Sequence, residues 1–184
     1  MTAQVKVIVE GYADFRKGVV WATTSVVLDG NIVMVVDPGT VSDQRIIVEG
    51  LKQAGVAVDD VNTVCVTHSH LDHYRNIGMF AGAQTIEYWG RWNGSLWEYN
   101  TDSRQVSENI RLVLTPGHSY DGISLLVETQ RGIIALCGDV FWYKNGPATD
   151  PIAVEPDSLD KSRKMLIQKA DWIVPGHGGM FKVE

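Results

Sequence analysis

Apolar positions recur along this chain with two periods. Val5 to Glu10 and Val19 to Leu28 are rich in β-branched residues and read as strands, and Asp29-Gly30-Asn31 is turn chemistry leading into a third strand, Ile32 to Val36. The opening is therefore antiparallel. Asp37-Pro38-Gly39 stops the third strand, and the spacing then turns helical: Ser42 is placed to cap a helix running to about Ala54, with Ile46, Ile47 and Leu51 on one face. Val61 to Thr67 is a short apolar run with the character of a buried strand. From Tyr88 to Asn100, Tyr88, Trp89, Trp92, Trp97 and Tyr99 alternate with Gly90, Asn93 and Gly94 in neither period, and the stretch reads as an aromatic loop. Strands resume at Ile110 to Leu114, Ile123 to Glu128 and Gly132 to Leu136. Asp157 or Ser158 then caps a helix to about Ala170, ahead of a last strand, Trp172 to Val174. This recurrence predicts an α/β protein of two βα halves, sheets inside and helices outside.

Composition narrows the class. The 184 residues, 45% apolar and 21% charged, suit one globular domain spanning 1–184. Sixteen Lys and Arg against 22 Asp and Glu leave a net charge of −6, which repels a phosphate backbone, so any nucleic-acid contact is local. The Lys161, Arg163, Lys164 and Lys169 set reads as a solvated helix face rather than a nucleic-acid patch. Cys65 and Cys137 sit in apolar runs and read as buried thiols of a reducing compartment. No stretch approaches the roughly 18 apolar residues of a membrane span, and the first ten residues lack signal-peptide character, so a soluble cytoplasmic protein without membrane association is expected.

Chemistry concentrates on the five histidines, His68, His70, His73, His118 and His177. Thr67-His68-Ser69-His70-Leu71-Asp72-His73 places three imidazoles and a carboxylate directly after an apolar strand. If the chain is extended there, the two-residue period puts His68 and His70 on one side, able to bind a single ion, while Asp72 and His73 diverge and suit a second ion. His118 follows Thr115-Pro116-Gly117, Asp139 follows Cys137-Gly138, and His177 follows Val174-Pro175-Gly176, each just beyond a strand. Gly before each lets the backbone turn sharply and approach closely. One mouth at the sheet ends can gather all of them.

The order of these elements, an HxHxDH motif followed by His, Asp and His, resembles the metallo-β-lactamase superfamily over about Asp37 to Gly178. The resemblance implies a four-layer αββα fold, two mixed sheets sandwiched between helices. It implies that His68, His70 and His118 hold one metal, that Asp72, His73 and His177 hold another, that Asp139 bridges them, and that Asp37 supports a ligand from behind. Asn76-Ile77-Gly78-Met79-Phe80, Gly138-Asp139-Val140-Phe141, Lys161-Ser162-Arg163-Lys164 and Ala170-Asp171 resemble a small single-domain branch of that superfamily, whose animal members are associated with ribonuclease activity.

Such a site implies a binuclear hydrolase using a metal-bridging hydroxide, with Asp72 as catalytic residue ligating and orienting the attacking water. The imidazole and carboxylate set suits two zinc ions and also admits iron or manganese. His70 stands where redox diiron members carry Glu, which favours hydrolysis, and only seven residues follow His177, too few for the helical extension of glutathione-thioester hydrolases. Phosphodiesters lead as substrate, RNA or single-stranded nucleic acid among them or a promiscuous activity, with a lactone, thioester or β-lactam as the alternative and a non-catalytic metal-binding protein as the remote one. The substrate is then a small molecule or a short nucleic acid. Tyr74, Trp92, Trp97, Tyr143 and Lys144 are candidate substrate contacts by position alone, and the aromatic stretch could equally serve as a homo-oligomer contact.

Overall fold

The computed structural model describes residues 2–99, 105–144 and 146–184. Among them, one sheet has the order β1 (Gln4–Val9), β4 (Thr24–Asp29), β5 (Ile32–Val36), β6 (Thr63–Cys65), β7 (Gln84–Glu87), β8 (Gly90–Asn93) and β9 (Leu96–Tyr99). A second runs β10 (Ile110–Leu114), β11 (Ile123–Thr129), β12 (Gly132–Leu136), β13 (Trp172–Val174) and β14 (Phe181–Lys182), and β2 (Tyr12–Asp14) pairs with β3 (Val19–Trp21) as a separate hairpin. Both sheets are mixed: β5, β6 and β7 are parallel, as are β12 and β13, and the other pairs are antiparallel.

The strand period of two decides the layers. Val27, Met34, Val36 and Cys65 of the first sheet meet Leu125, Ile134, Leu136 and Val174 of the second in one buried cluster. Their neighbours Val26, Val35 and Val64 point the opposite way, onto Ile47 and Leu51 of helix α1 (Arg45–Gln53). Ala135 and Ile173 likewise point onto Leu159 and Leu166 of helix α3 (Pro156–Lys169). Strands covered on both faces and helices on the outside give four layers, αββα, as expected. No helix among the described residues is long and apolar enough to cross a membrane.

Several boundaries differ from the sequence reading. The strand expected over 19–28 is two, because Thr23 leaves the ladder: its N–H donates to the Gly176 carbonyl at 2.6 Å and its hydroxyl to that of Gly178 at 3.0 Å. Ser42 does not cap α1; the Asp43 carboxylate accepts from the Arg45 N–H, and Ile46 lies outside the buried face formed by Ile47 and Leu51. Helix α3 starts earlier than expected, with Pro156 in its first turn, where a missing N–H costs nothing. Arg163 does not sit on a solvated face: its Nε donates to the Val140 carbonyl at 2.9 Å and its guanidinium lies over Phe141.

The aromatic stretch is a hairpin rather than a loop. Asn93 pairs with Leu96 around a two-residue turn, Gly94-Ser95, with Gly94 at φ 58° in the first central position, a conformation that glycine supplies without strain. Asn100, the last residue of that expected loop, lies outside the described residues.

Candidate metal centre

The cluster forms because four strands end at one edge. Beyond β6 the backbone bends through residues 67–69, presents His68 and an extended His70, and enters the single turn α2 (Leu71–Tyr74), which carries Asp72 and His73. Beyond β12, Gly138 at φ 49° opens a 3₁₀ turn bearing Asp139; a Cβ there would lie 2.3 Å from the Thr67 hydroxyl. His118 follows β10 through Gly117 at φ 134°, where a Cβ would meet the Leu159 backbone nitrogen at 2.2 Å. His177 follows β13. The glycines of these loops thus allow close approach between elements that no other residue would permit.

Two groups result: His68, His70, His118 and Asp139, and Asp72, His73 and His177, each offering ligand atoms within 4.8 Å of one another. His70 Nδ1 lies 3.0 Å from both His68 Nε2 and His118 Nε2, and His118 Nε2 lies 3.3 Å from Asp139 Oδ2. Ligands about 2.0–2.1 Å from a tetrahedral ion are separated by about 3.3–3.4 Å, so these spacings fit a shared cation. Asp139 lies between the groups, with Oδ1 3.2 Å from His73 Nε2 and Oδ2 3.1 Å from His177 Nε2. Asp72 Oδ2 stands 3.8 Å from His73 Nε2 and 3.7 Å from His177 Nε2, and it is the more open of the two carboxylates.

Burial tests the fit. His73 Nε2 and Asp139 Oδ1 are fully enclosed and make no hydrogen bond, facing each other at 3.2 Å as partial compensation. An ion between them satisfies both. Electrostatics agrees: burial holds His68 and His70 below the ordinary imidazole range, helped by neighbouring imidazoles, so both present lone pairs. Burial pushes His73 and His177 down too, but Asp139 outweighs it and both are raised. Burial works against ionising Asp139, yet His73 and His177 prevail and hold it well below the ordinary carboxylate range. The negative field that raises these imidazoles in the metal-free protein is the field that would hold a divalent cation in place of their protons.

The nitrogens turned away from the centre are also engaged. His73 Nδ1 lies 2.8 Å from Asp37 Oδ2, and Asp37 in turn accepts from the Thr67 N–H and hydroxyl at 2.8 and 2.7 Å. Asp37 adopts a left-handed backbone, φ 50°, to do so. His177 Nδ1 lies 3.0 Å from the Trp21 carbonyl, His68 Nδ1 3.2 Å from the Thr67 hydroxyl, and His118 Nδ1 2.6 Å from Asp150 Oδ2. Asp121 accepts from the Ser69 N–H at 2.9 Å and from its hydroxyl, tying the His68–His70 bend to the His118 loop. Asp150, Asp121 and Trp21 were not among the sequence candidates; they lie 32, 52 and 156 positions from His118, Ser69 and His177, with no local motif to mark them.

The five candidate substrate contacts fare differently. Tyr74 packs into the core under α1 instead of facing the mouth. Trp92 and Trp97 pair with each other and, through Thr85, stand on the face opposite Ile86, which belongs to the inter-sheet core; their rings stack at 5.5 Å on the outer side of the sheet, away from the cluster. Lys144 is turned to Glu184, at 3.0 Å. Tyr143 remains half exposed beside the His177 loop, close to Gly178. Closer to the cluster than any of them is Trp142, whose ring centroid is 6.2 Å from those of both His118 and His177 and which carries the exposed Phe15 at 4.9 Å.

Residues 18–105 match the family described as the metallo-beta-lactamase superfamily. Metallo-beta-lactamase domain-containing protein 1 of Xenopus laevis is 32% identical over 97% of this chain and 81% of its own length. Its Homo sapiens counterpart is 30% identical over 82% of this chain and 59% of its own, so the chain spans under two thirds of that relative. In structure, a metallo-beta-lactamase family protein of Thermus thermophilus aligns with TM-score 0.72 at 16% identity, covering 97% of this chain and 75% of that one.

Proposed function

This chain belongs to the metallo-beta-lactamase superfamily, and from that premise we propose that it is a two-metal hydrolase acting on phosphodiesters, with zinc as the first candidate ion and iron or manganese behind it. The observation that carries the reading is the pair of ligand groups joined by Asp139, with two enclosed polar atoms, His73 Nε2 and Asp139 Oδ1, that face each other at 3.2 Å without a hydrogen bond. His68, His70 and His118 would hold one cation and Asp72, His73 and His177 the other, with Asp139 placed between the two groups. A bound pair of divalent cations supplies polarisation of a substrate oxygen and brings water towards ionisation near neutral pH.

The residues divide the remaining work by exposure. Asp139 is enclosed and bonded to two imidazoles, so it cannot reach substrate. The Asp72 side chain is the more exposed of the two carboxylates, and with Oδ2 turned to His73 and His177 its other oxygen would orient the attacking water and accept its proton. All five histidines lie in the cluster, so no free imidazole remains to protonate a leaving group, and that proton returns from Asp72 or from solvent.

A clamp of two cations suits in-line displacement at phosphorus. The net charge of −6 selects short or single-stranded substrates over long duplex. A second reading, hydrolysis of a lactone, thioester or β-lactam, is favoured by Phe15 over Trp142, an apolar wall on the His118 and His177 side of the cluster. The test is hydrolysis of a chromogenic phosphodiester by protein reloaded with zinc or manganese, against His118→Ala under the same conditions. Metal-dependent turnover lost in the variant is the expected result. No turnover from protein shown to hold two metals sinks the phosphodiester reading and moves the assay to lactones and thioesters.

A further inference from the structure

Each ligand group contains one imidazole backed by an enclosed carboxylate. In the second group it is His73, held by Asp37; in the first it is His118, whose Nδ1 lies 2.6 Å from Asp150 Oδ2. Both Asp150 and His118 are buried, and the carboxylate has no solvent contact. Asp150 is itself oriented: its Oδ1 accepts the Ile152 N–H at 3.0 Å, which leaves Oδ2 for the imidazole. The segment that carries it is strapped onto the His118 loop at two more points, Val154 N–H to the His118 carbonyl at 3.3 Å and Glu155 N–H to the Gly117 carbonyl at 2.9 Å. Three bonds from one segment thus converge on one histidine and its neighbour.

We infer that Asp150 is the positioning residue of the first metal group, fixing His118 as the tautomer that carries its proton on Nδ1 and directs the Nε2 lone pair at the cation. The inference rests on the two-metal reading above for the cation, but not for the tautomer. An ionised carboxylate only accepts, so a 2.6 Å contact requires the proton on Nδ1. The pair of roles is then symmetrical: Asp37 orients an imidazole of one group and Asp150 an imidazole of the other. The remaining imidazoles with a described partner behind them use weaker acceptors, a hydroxyl at His68 and a backbone carbonyl at His177. A carboxylate also raises the basicity of its imidazole, which a neutral acceptor does less.

Two variants separate orientation from charge. Asp150→Asn keeps a carbonyl oxygen able to accept from Nδ1 but removes the charge; Asp150→Ala removes both. In the metal-free protein, long-range ¹H–¹⁵N correlation spectra read the His118 tautomer directly. The expected result is a protonated Nδ1 in wild type and Asp150→Asn, and a mixture of tautomers in Asp150→Ala. Zinc competition against a chromogenic chelator is expected to show the tighter binding of wild type weakened about 10- to 100-fold in Asp150→Ala, with Asp150→Asn between. An unchanged His118 spectrum in Asp150→Ala, or wild-type zinc affinity in both variants, overturns the inference. Should Asp150→Ala not fold, Asp150→Asn alone decides, by a retained tautomer with weakened zinc binding or by wild-type affinity. Because neither readout is turnover, an inactive protein with the expected tautomers would sink the hydrolase reading and leave this one standing.

Discussion

Gly176→Ala is expected to cripple the centre without replacing a ligand. A Cβ at this position would lie 1.9 Å from Asp139 Oδ1 and 3.0 Å from the Gly138 carbonyl carbon and oxygen. An ordinary carbon-to-oxygen contact is about 3.3 Å, so the carboxylate or the backbone must yield by about 1.4 Å. Neither is free. Asp139 is held by His177 Nε2 at 3.1 Å and stands 3.2 Å from His73 Nε2, while the Gly176 backbone is pinned by its N–H to the Phe141 carbonyl at 2.8 Å and by its own carbonyl to the Thr23 N–H at 2.6 Å. Overpacking of this kind costs about 1–3 kcal/mol. In a chain of this size that corresponds to a Tm lower by about 2 to 12 °C. A ligand displaced by about 1 Å loses on the order of 100-fold in turnover. Thermal unfolding and zinc stoichiometry measure both effects, with Gly82→Ala as control, since nothing lies within 4 Å of a Cβ there and a change within about 0.5 kcal/mol is expected. A Gly176→Ala protein with the wild-type Tm and two tightly held zinc ions would refute the reasoning.

Asp37→Ala strips the Thr67 N–H, the Thr67 hydroxyl and His73 Nδ1 of their acceptor, and a loss of about 3–5 kcal/mol is expected in urea unfolding; a loss below about 1 kcal/mol would show that the buried network contributes little. In the metal-free protein burial lowers His73, but Asp139 and Asp37 prevail and raise it well above 6.5, so the stability its proton contributes is complete below that value and fades as pH climbs through the higher folded value. A cation must displace that proton, so zinc affinity rises with pH above 6.5 with protons released, and calorimetry in buffers of different ionisation enthalpy giving a flat or falling affinity would contradict this. Burial raises both thiols, Cys137 to about 12, so neither Cys65 nor Cys137 reacts with a disulfide reagent at pH 8 until the protein unfolds, and rapid labelling of native protein would contradict their enclosure.

What could be read from the sequence was the chemistry that strands present. His68, His70, Asp72, His73, His118, Asp139 and His177 all follow apolar runs, and the last three bring their own turn glycines, so their gathering at one sheet edge was legible before any contact was known. The strand pattern also carried sheets inside and helices outside, because neighbouring residues such as Val26 and Val27 must serve two different covers, while the four-layer αββα arrangement came from the family resemblance. The β8–β9 hairpin was hidden for the opposite reason. Leu96, Trp97, Glu98 and Tyr99 are exposed alike, so no contrast between faces marks the strand, and only Gly94 signals the turn.

Asp150 and the Trp21 carbonyl were hidden because an acceptor behind an imidazole is supplied by whichever segment docks there, and a backbone carbonyl leaves no trace in residue identity. That difference has a consequence for how the centre is built. The ligands come from loops whose direction the strands already set, whereas their orientation depends on three distant pieces: the end of β5 for His73, the end of β3 for His177 and the strap before α3 for His118. Each piece also belongs to the core, β5 through Val35 and Val36, α3 through Leu159 and Leu166. Cation binding and folding are therefore coupled through the same contacts: a core substitution that lets α3 shift would first free Asp150 from His118, and loss of metal from the first group would precede loss of the fold.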